Sequence, residues 1–220
     1  MEPTYDVVVL GAGPGGYVAA LRAAQLGLRV ALVEKDRVGG TCLNVGCVPT
    51  KALVTAAELL MRARRAADFG ISIPAAEVDL GRLMAYKREA VDGLVGGVER
   101  LLKEHKVILI QGQGRLIRPD ALQVTGPEGE TIEVAARHII LAPGSVTARP
   151  PIPGLDLPGV LTSTEALEIG RVPDRLVVIG GGAIGLEFAC IYEALGSLSL
   201  IHISEPTRLG MISYAVFCLK

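Results

Sequence analysis

The hydrophobic pattern at the start of the chain predicts a strand, a helix and a second strand. Residues 5–10 are a short, β-branched run that ends in glycines, which is typical of a buried parallel strand. Pro14 suits the first turn of a helix that runs to about Leu26, because its missing N–H would be unpaired there in any case. Gly27 ends this helix, and residues 29–34 form the next strand. The pattern predicts a βαβ unit.

The middle of the chain predicts two helices followed by short strands. Apolar residues recur at helical spacing in residues 51–69 and 79–103, and a buried strand follows at 107–110. Between residues 112 and 134, short strands alternate with turn signals, which predicts an antiparallel meander. A further strand at 138–141 ends just before Pro143.

A proline-rich segment at residues 149–154 is the predicted domain boundary, because it is stiff and has no secondary-structure period. Beyond it, a strand at 175–179, glycines at 180–185 and a helix to Leu195 repeat the opening of the chain. The sequence therefore predicts an α/β fold with one domain at 1–148 and the beginning of a second at 149–197.

Composition narrows the classes of partner. Half of the 220 residues are hydrophobic, but no apolar run approaches the roughly 20 residues that a membrane span needs. The first six residues lack the basic and apolar regions of a secretory signal. The formal net charge is −1, no basic cluster is present and Trp is absent, which disfavours nucleic-acid binding. We expect a soluble, cytoplasmic protein with neither a nucleic-acid nor a membrane partner.

Two of the four cysteines, Cys42 and Cys47, lie close together behind a pair of glycines. Four cysteines are too few for a secreted disulfide scaffold, and the three histidines are too scattered to complete a zinc site, so no metal is expected. A thiolate at a helix N-terminus is stabilised by the helix dipole, and Gly46 leaves room for a planar ring to approach. Redox chemistry is favoured, with two buried thiols or part of a metal site as the alternatives.

The glycines at the end of the first strand have the spacing of a dinucleotide-binding fingerprint. Gly11 permits the tight turn, Gly13 lets the backbone approach a pyrophosphate, and Gly16 lets helix and strand pack closely. Glu34, at the end of the second strand, has a carboxylate that can bind ribose hydroxyls. The alternative is a structural glycine turn with a surface glutamate.

A second fingerprint begins after the strand at 175–179, with Gly180, Gly182 and Gly185. Glu187 lies in the first turns of the helix that follows, where an acid also interacts favourably with the helix dipole. Lys51 lies one helical turn beyond Cys47, and its cation could stabilise negative charge on a reduced flavin or simply be solvated. Cys190 is expected to be a small core residue.

Together these motifs resemble the flavin-dependent pyridine nucleotide–disulfide oxidoreductases, from Tyr5 to about Ser197. Residues 13–27 resemble the first helix of the dihydrolipoamide dehydrogenase branch of that family. The cysteine motif at 39–51 also resembles that of the glutathione and mercuric reductases, so it indicates the family better than the substrate. The resemblance implies a Rossmann-like FAD-binding domain with an antiparallel β-meander, followed by the start of a Rossmann-like NAD-binding domain.

The resemblance also implies a role for each motif. Cys42 would be the outer thiol that exchanges with dihydrolipoamide, and Cys47 the inner thiol beside the flavin. Lys51 would pair with Glu187 near the flavin. The second fingerprint, from Gly180 through Gly182 and Gly185 to Glu187, would open the NAD site. FAD would contact the first fingerprint and a set of flanking residues: Gly11, Gly13, Gly16, Glu34, Gly40, Thr41, Cys42, Lys51, Gly114, Pro143, Gly144 and Ser145.

The implied activity is oxidation of dihydrolipoamide with NAD+ through a Cys42–Cys47 disulfide and FAD. The implied partner is the lipoyl domain of a 2-oxoacid dehydrogenase or glycine cleavage complex, with a homodimer in the full-length enzyme. Alternatives are another disulfide reductase, mercuric or glutathione reductase-like, and a non-catalytic nucleotide-binding module. The choice between NAD and NADP stays open. Pro143 stands where the family usually has Thr, removing a backbone donor and fixing φ.

The last segment, residues 198–220, departs from the family and resembles the translation of a short-read sequencing adapter. We expect it to be a non-native tail on an N-terminal fragment that does not turn over alone. Leu198–Ile203 has a strand-like composition, and Glu205 has the spacing of a ribose-binding acid. On this interpretation neither belongs to a functional site.

Overall fold

A computed structural model describes residues 5–74, 76–202 and 216–219. For His202 and the strand at 216–219 it describes the backbone alone. The chain falls into two compact units, one of residues 1–44 and 91–145 and the other of residues 45–90 and 146–220. The division into domains made from the sequence stays a prediction.

The first unit is built on a six-stranded sheet with strand order β3-β2-β1-β6-β5-β4. β1 pairs in parallel with β2 and β6, and β2 pairs in parallel with β3. β5 pairs antiparallel with β4 and β6, which gives the predicted meander. The elements are β1 (Tyr5–Leu10), α1 (Pro14–Gln25), β2 (Val30–Glu34), α2 (Gly40–Val45), β3 (Ile108–Gln111), β4 (Gln113–Arg118), β5 (Ala121–Thr125) and β6 (Thr131–Leu141).

β6 corrects the prediction that the end of the meander and the returning strand are separate. It is one strand whose first half pairs antiparallel with β5, up to Ala135, and whose second half pairs in parallel with β1, from Ala136 to Leu141. No glycine or proline interrupts residues 131–141, so nothing in the sequence ends the strand between its two partners. A single strand therefore joins the βαβ unit to the meander.

The core of this unit lies between the parallel strands and the meander. Its central side chains are nearly or fully buried, and each valine or leucine among them contributes on the order of 1.5–3 kcal/mol by leaving water. They alternate with outward-facing residues along β5, as expected for a sheet with one buried face. The cluster comprises Val8, Ala31, Val33, Leu122, Val124, Val134 and Ala136.

The second unit contains a four-stranded sheet with strand order β7-β10-β8-β9. β8 and β9 are parallel neighbours on either side of α6 in the chain, so they form a second βαβ unit. The elements are α3 (Cys47–Arg64), a 3₁₀ turn (Ala66–Phe69), the first part of α4 (Leu80–Glu104), β7 (Val160–Leu161), α5 (Ser163–Ala166), β8 (Arg175–Ile179), α6 (Ala183–Leu195), β9 (Leu198–His202) and β10 (Val216–Leu219).

Helix α3 begins four residues earlier than predicted, at Cys47, and the predicted helix at 51–69 is interrupted at Arg65 before the 3₁₀ turn. Gly70, with φ +74°, then ends the turn in the left-handed region that glycine adopts readily. The strand-like segment at Leu198 does join the sheet as β9, while Glu205 lies outside the described residues. The interpretation of residues 198–220 as a non-native tail stays a prediction.

Buried Tyr and Lys side chains on two helices of the second unit donate hydrogen bonds to residues 166–168. Tyr192 on α6 donates a hydrogen bond from its hydroxyl to the carbonyl of Ala166, at 2.9 Å. The Lys87 ammonium, whose side chain is 3% exposed, donates to the carbonyl of Leu167 and to Glu168. Within the described residues, no helix is both long and apolar enough to cross a membrane.

Candidate functional site

The first glycine loop is held by close backbone packing at Gly11 and Gly16, two of the three fingerprint glycines. Gly11 has φ +98°, and a Cβ there would lie 2.1 Å from the carbonyl oxygen of Ala142. A Cβ on Gly16 would lie 1.7 Å from the carbonyl oxygen of Gly11. Both distances are far inside van der Waals contact, so the loop and the start of α1 require glycine at these positions.

Gly13, in contrast, has room for a Cβ. It is the N-cap of α1, and a Cβ on it would meet only the Cα of Gly40, at an ordinary 3.9 Å. Pro14 follows as the first helical residue, no side chain caps the helix, and its first turn has no acid. The positive end of the helix dipole is therefore left for an anion, as a pyrophosphate would require.

Glu34 lies at the carboxyl end of β2 and is only 8% exposed, so the alternative of a surface glutamate does not hold. One carboxylate oxygen accepts a hydrogen bond from the N–H of Ala12, at 2.6 Å, and the other accepts from the N–H of Asp36, at 2.8 Å. Each oxygen can accept a second hydrogen bond. Glu34 thus holds the glycine loop and keeps acceptors for a ribose.

The segment that carries Cys42 is packed on this loop. The N–H of Gly39 (φ +97°) donates to the carbonyl of Ala12 at 2.8 Å. A Cβ on Gly40 (φ +55°) would lie 2.7 Å from the Cα of Gly13, so the first turn of α2 rests against the N-cap of α1. Cys42 lies two residues further along α2 and is half-buried.

Asn44, which the sequence analysis did not select, braces the same turn. Its Nδ2 donates to the carbonyl of Val38 at 3.0 Å and to that of Gly40 at 2.9 Å. Its Oδ1 is buried and has no hydrogen-bond partner among the described residues. An amide between two cysteines was the available signal, but sequence spacing does not show which carbonyls it reaches.

The remaining predicted FAD contacts of this unit lie at strand ends. A Cβ on Gly114 would lie 2.4 Å from Leu10 Cδ1, so a larger residue here would displace the end of the Leu10 side chain. Pro143, Gly144 and Ser145 are exposed directly after β6. The N–H of Ala142 donates to Leu10 at 2.8 Å, so Pro143 comes after this hydrogen bond and leaves it intact.

In the second unit, α3 begins directly at Cys47, which is exposed, with Gly46 as the N-cap and no side-chain cap. Thr50 donates to the carbonyl of Gly46 from both its hydroxyl, at 2.6 Å, and its N–H, at 3.1 Å. One turn further along, the ammonium of Lys51 forms a salt bridge with Glu187 on α6. The structure therefore brings together the lysine and the glutamate that the resemblance paired.

The second glycine loop has the same local form as the first. Gly180 has φ +110°, Gly182 caps α6 in an extended conformation, and Gly185 is buried. No side chain caps the helix and no acid lies in its first turn. The described residues contain no group of three His, Cys, Asp or Glu that could hold a metal ion.

Two glycine loops at strand-to-helix turns, with the Cys42 segment packed on the first, are typical of a nucleotide-dependent disulfide oxidoreductase. Residues 5–210 match the family model described as pyridine nucleotide-disulphide oxidoreductase, and the chain belongs to this family. It is 43% identical over 194 residues to the mitochondrial dihydrolipoyl dehydrogenase of Dictyostelium discoideum, covering 87% of this chain and 40% of that protein. It is 48% identical over 202 residues to dihydrolipoyl dehydrogenase 3 of Pseudomonas aeruginosa, covering 90% and 43%.

Solved structures give the same class. The chain is similar to the HOCl-induced flavoprotein disulfide reductase RclA from Escherichia coli, with a TM-score of 0.76 and 34% identity. This match covers 90% of this chain and 41% of that one. The α/β fold expected from the sequence is confirmed. The chain spans about 40% of the length of the relatives it matches.

Proposed function

We propose that the chain is the dithiol-bearing, FAD-binding part of an enzyme that oxidises dihydrolipoamide with NAD+. The observation that carries this proposal is the seating of α2, with Cys42, against the glycine loop at Gly13. A thiol on a segment packed against a nucleotide loop is suited to pass electrons to a nucleotide-linked flavin. The dihydrolipoyl dehydrogenase relatives support the choice of dithiol substrate.

The described residues fit FAD in their donor chemistry. The uncapped N-terminus of α1 and the room at Gly13 suit the pyrophosphate, and Glu34 suits the ribose. Gly40, Thr41 and Gly144 supply exposed or partly exposed backbone in the same unit. When bound, FAD would accept the electrons of a reduced dithiol and supply a hydride for a nicotinamide.

The cysteines would carry the exchange with substrate. A thiolate of dihydrolipoamide attacks Cys42 Sγ, the Cys42–Cys47 bond breaks, and Cys47 leaves as a thiolate. The second substrate thiolate then displaces Cys42 Sγ, closing the lipoamide disulfide and leaving both cysteines reduced. The dipole of α3 stabilises a thiolate at Cys47, the first residue of that helix.

Lys51, paired with Glu187, would hold its ammonium one helical turn beyond Cys47. The carboxylate orients the ammonium, whose side chain is 63% exposed while that of Glu187 is 31% exposed. The loop of Gly180, Gly182 and Gly185 would bind NAD at the N-terminus of α6. The full-length enzyme would be a cytoplasmic homodimer acting on the lipoyl domain of a 2-oxoacid dehydrogenase or glycine cleavage complex.

The competing candidate is a disulfide reductase that acts on a substrate other than dihydrolipoamide, and the likeness to the disulfide reductase RclA favours it. The product of the complete reading frame of the source gene should be assayed with dihydrolipoamide and NAD+, with glutathione disulfide, and with mercuric ion. We expect turnover with dihydrolipoamide and NAD+. Reduction of glutathione disulfide or mercuric ion without dihydrolipoamide oxidation would overturn the proposed substrate.

A further inference from the structure

The side chain of Asn44 joins both sides of the glycine pair before Cys42. Its amide nitrogen donates to Val38, before Gly39, and to Gly40, after it. Gly39 in turn donates to Ala12 of the glycine loop. A continuous set of hydrogen bonds therefore runs from Asn44 through the turn to the loop that begins α1.

We propose that Asn44 is a positioning residue for thiol exchange: its amide fixes the turn at Gly39–Gly40 and thereby sets where Cys42 lies on the glycine loop. The two glycines adopt their positive φ values, +97° and +55°, without strain, but glycine is also the most flexible residue, so the turn depends on hydrogen bonds to hold this one conformation. Gly40 is also in close contact with Gly13, so a small rotation of the turn moves α2 off the loop.

The donors of Asn44, and not its acceptor, carry this role. Both hydrogens of Nδ2 are used, whereas Oδ1 is buried without a partner among the described residues. A buried acceptor without a partner destabilises the folded state, so an asparagine here is costly unless its donors are needed. Aspartate has the same shape but offers no donor, which makes Asn44→Asp the informative substitution.

The inference rests on the proposed function for its meaning, and its test separates the two. The 220-residue chain is prepared with Asn44→Asp and with Asn44→Ala. If Asn44→Ala does not fold, Asn44→Asp is compared with the parent chain alone. The matched control is Gln111→Ala, because Gln111 Nε2 also donates to two backbone carbonyls of the same unit, those of Lys35 and Asp36. Thermal midpoints are recorded for every variant.

The first readout is the rate at which iodoacetamide alkylates Cys42 in a Cys47→Ser background. We expect the Asn44 variants to react about tenfold faster, because the half-buried thiol becomes accessible when the turn loosens. Gln111→Ala should stay within about twofold of the parent, since its hydrogen bonds end before the turn, at Lys35 and Asp36, and do not span Gly39 and Gly40. Equal rates for the Asn44 variants and the control would overturn the inference.

The second readout is the equilibrium of Cys42 and Cys47 with glutathione, in which two thiols are oxidised and one glutathione disulfide yields two glutathione molecules. We expect the Asn44 variants to lower the equilibrium constant for the Cys42–Cys47 disulfide about tenfold, and Gln111→Ala to leave it unchanged. If the parent chain forms no such disulfide, the proposed function fails, while the alkylation rates still decide the role of Asn44.

Discussion

Lys106 occupies a position that favours glycine. It has φ +58° and follows α4 in a Schellman motif, in which its N–H donates to Lys103 and that of Val107 donates to Leu102. Because a side chain is disfavoured in the left-handed region, Lys106→Gly should raise the free energy of unfolding by about 0.5–1 kcal/mol. Urea denaturation measures this change in the free energy of unfolding. Lys103→Gly, inside the helix, should instead lower stability by a similar amount, and a loss for Lys106→Gly would contradict the assignment.

Gly40 illustrates a glycine that the site cannot replace. Gly40→Ala would put a Cβ 2.7 Å from the Cα of Gly13, and backbone cannot move aside as a flexible side chain can. We expect a loss of about 2–4 kcal/mol in the free energy of unfolding. Gly93→Ala is the matched control, since nothing lies within 4 Å of its Cβ position in α4 and alanine favours a helix. It should gain up to about 1 kcal/mol, and similar losses for both variants would refute this packing.

At the scale of elements, Tyr192 links α6 to the end of α5. Burial raises the pKa of its hydroxyl to about 12, from an ordinary value of 10.0. A raised folded-state pKa gives stability that is full below pH 10 and is lost as the pH rises towards 12. The free energy of unfolding should therefore fall across this range, by an amount on the order of 2 kcal/mol at most, and the thermal midpoint should fall with it.

Tyr192→Phe tests the link between α6 and the end of α5 directly. The variant should lose about 1 kcal/mol at neutral pH, with the hydrogen bond to Ala166, and show a shallower decline at alkaline pH. Tyr86→Phe, on the exposed side of α4, is the control and should change neither quantity. Identical alkaline profiles for Tyr192→Phe and the parent would show that Tyr192 does not provide this dependence.

The elements that the sequence predicted best were those in which pattern and turn residues agree. The start of α1 at Pro14 and the strand at 175–179 followed from a β-branched run that ends in glycines. β6 could not be predicted as one strand, because its two halves pair with partners on either side and a local pattern does not reveal pairing. The start of α3 at Cys47 was missed because the helical spacing of apolar residues was followed only from residue 51.

At the scale of the molecule, spacing identified the kinds of residue in the site but not how they are held. The burial of Glu34 and its hydrogen bond to Ala12 depend on the folded loop, as does the reach of Asn44 across the glycine turn. The pairing of Lys51 with Glu187 came from family resemblance, because 136 residues separate them and no local pattern joins such residues. Long-range contacts of this kind are set by the fold.

The measurement that tests the central claim most directly is the mass of the tryptic peptide from Val38 to Lys51. The chain is first equilibrated with glutathione buffer, its free thiols are then blocked with N-ethylmaleimide, and it is digested with trypsin. Cleavage after Arg37 and Lys51 places both cysteines in this one peptide and leaves Cys190 in another. We predict an unlabelled peptide two hydrogen atoms lighter than the dithiol form, while Cys190, which is exposed and not the core residue that the sequence predicted, carries the label. Labels on both Cys42 and Cys47 across the whole range of glutathione ratios would contradict a redox-active pair at this site.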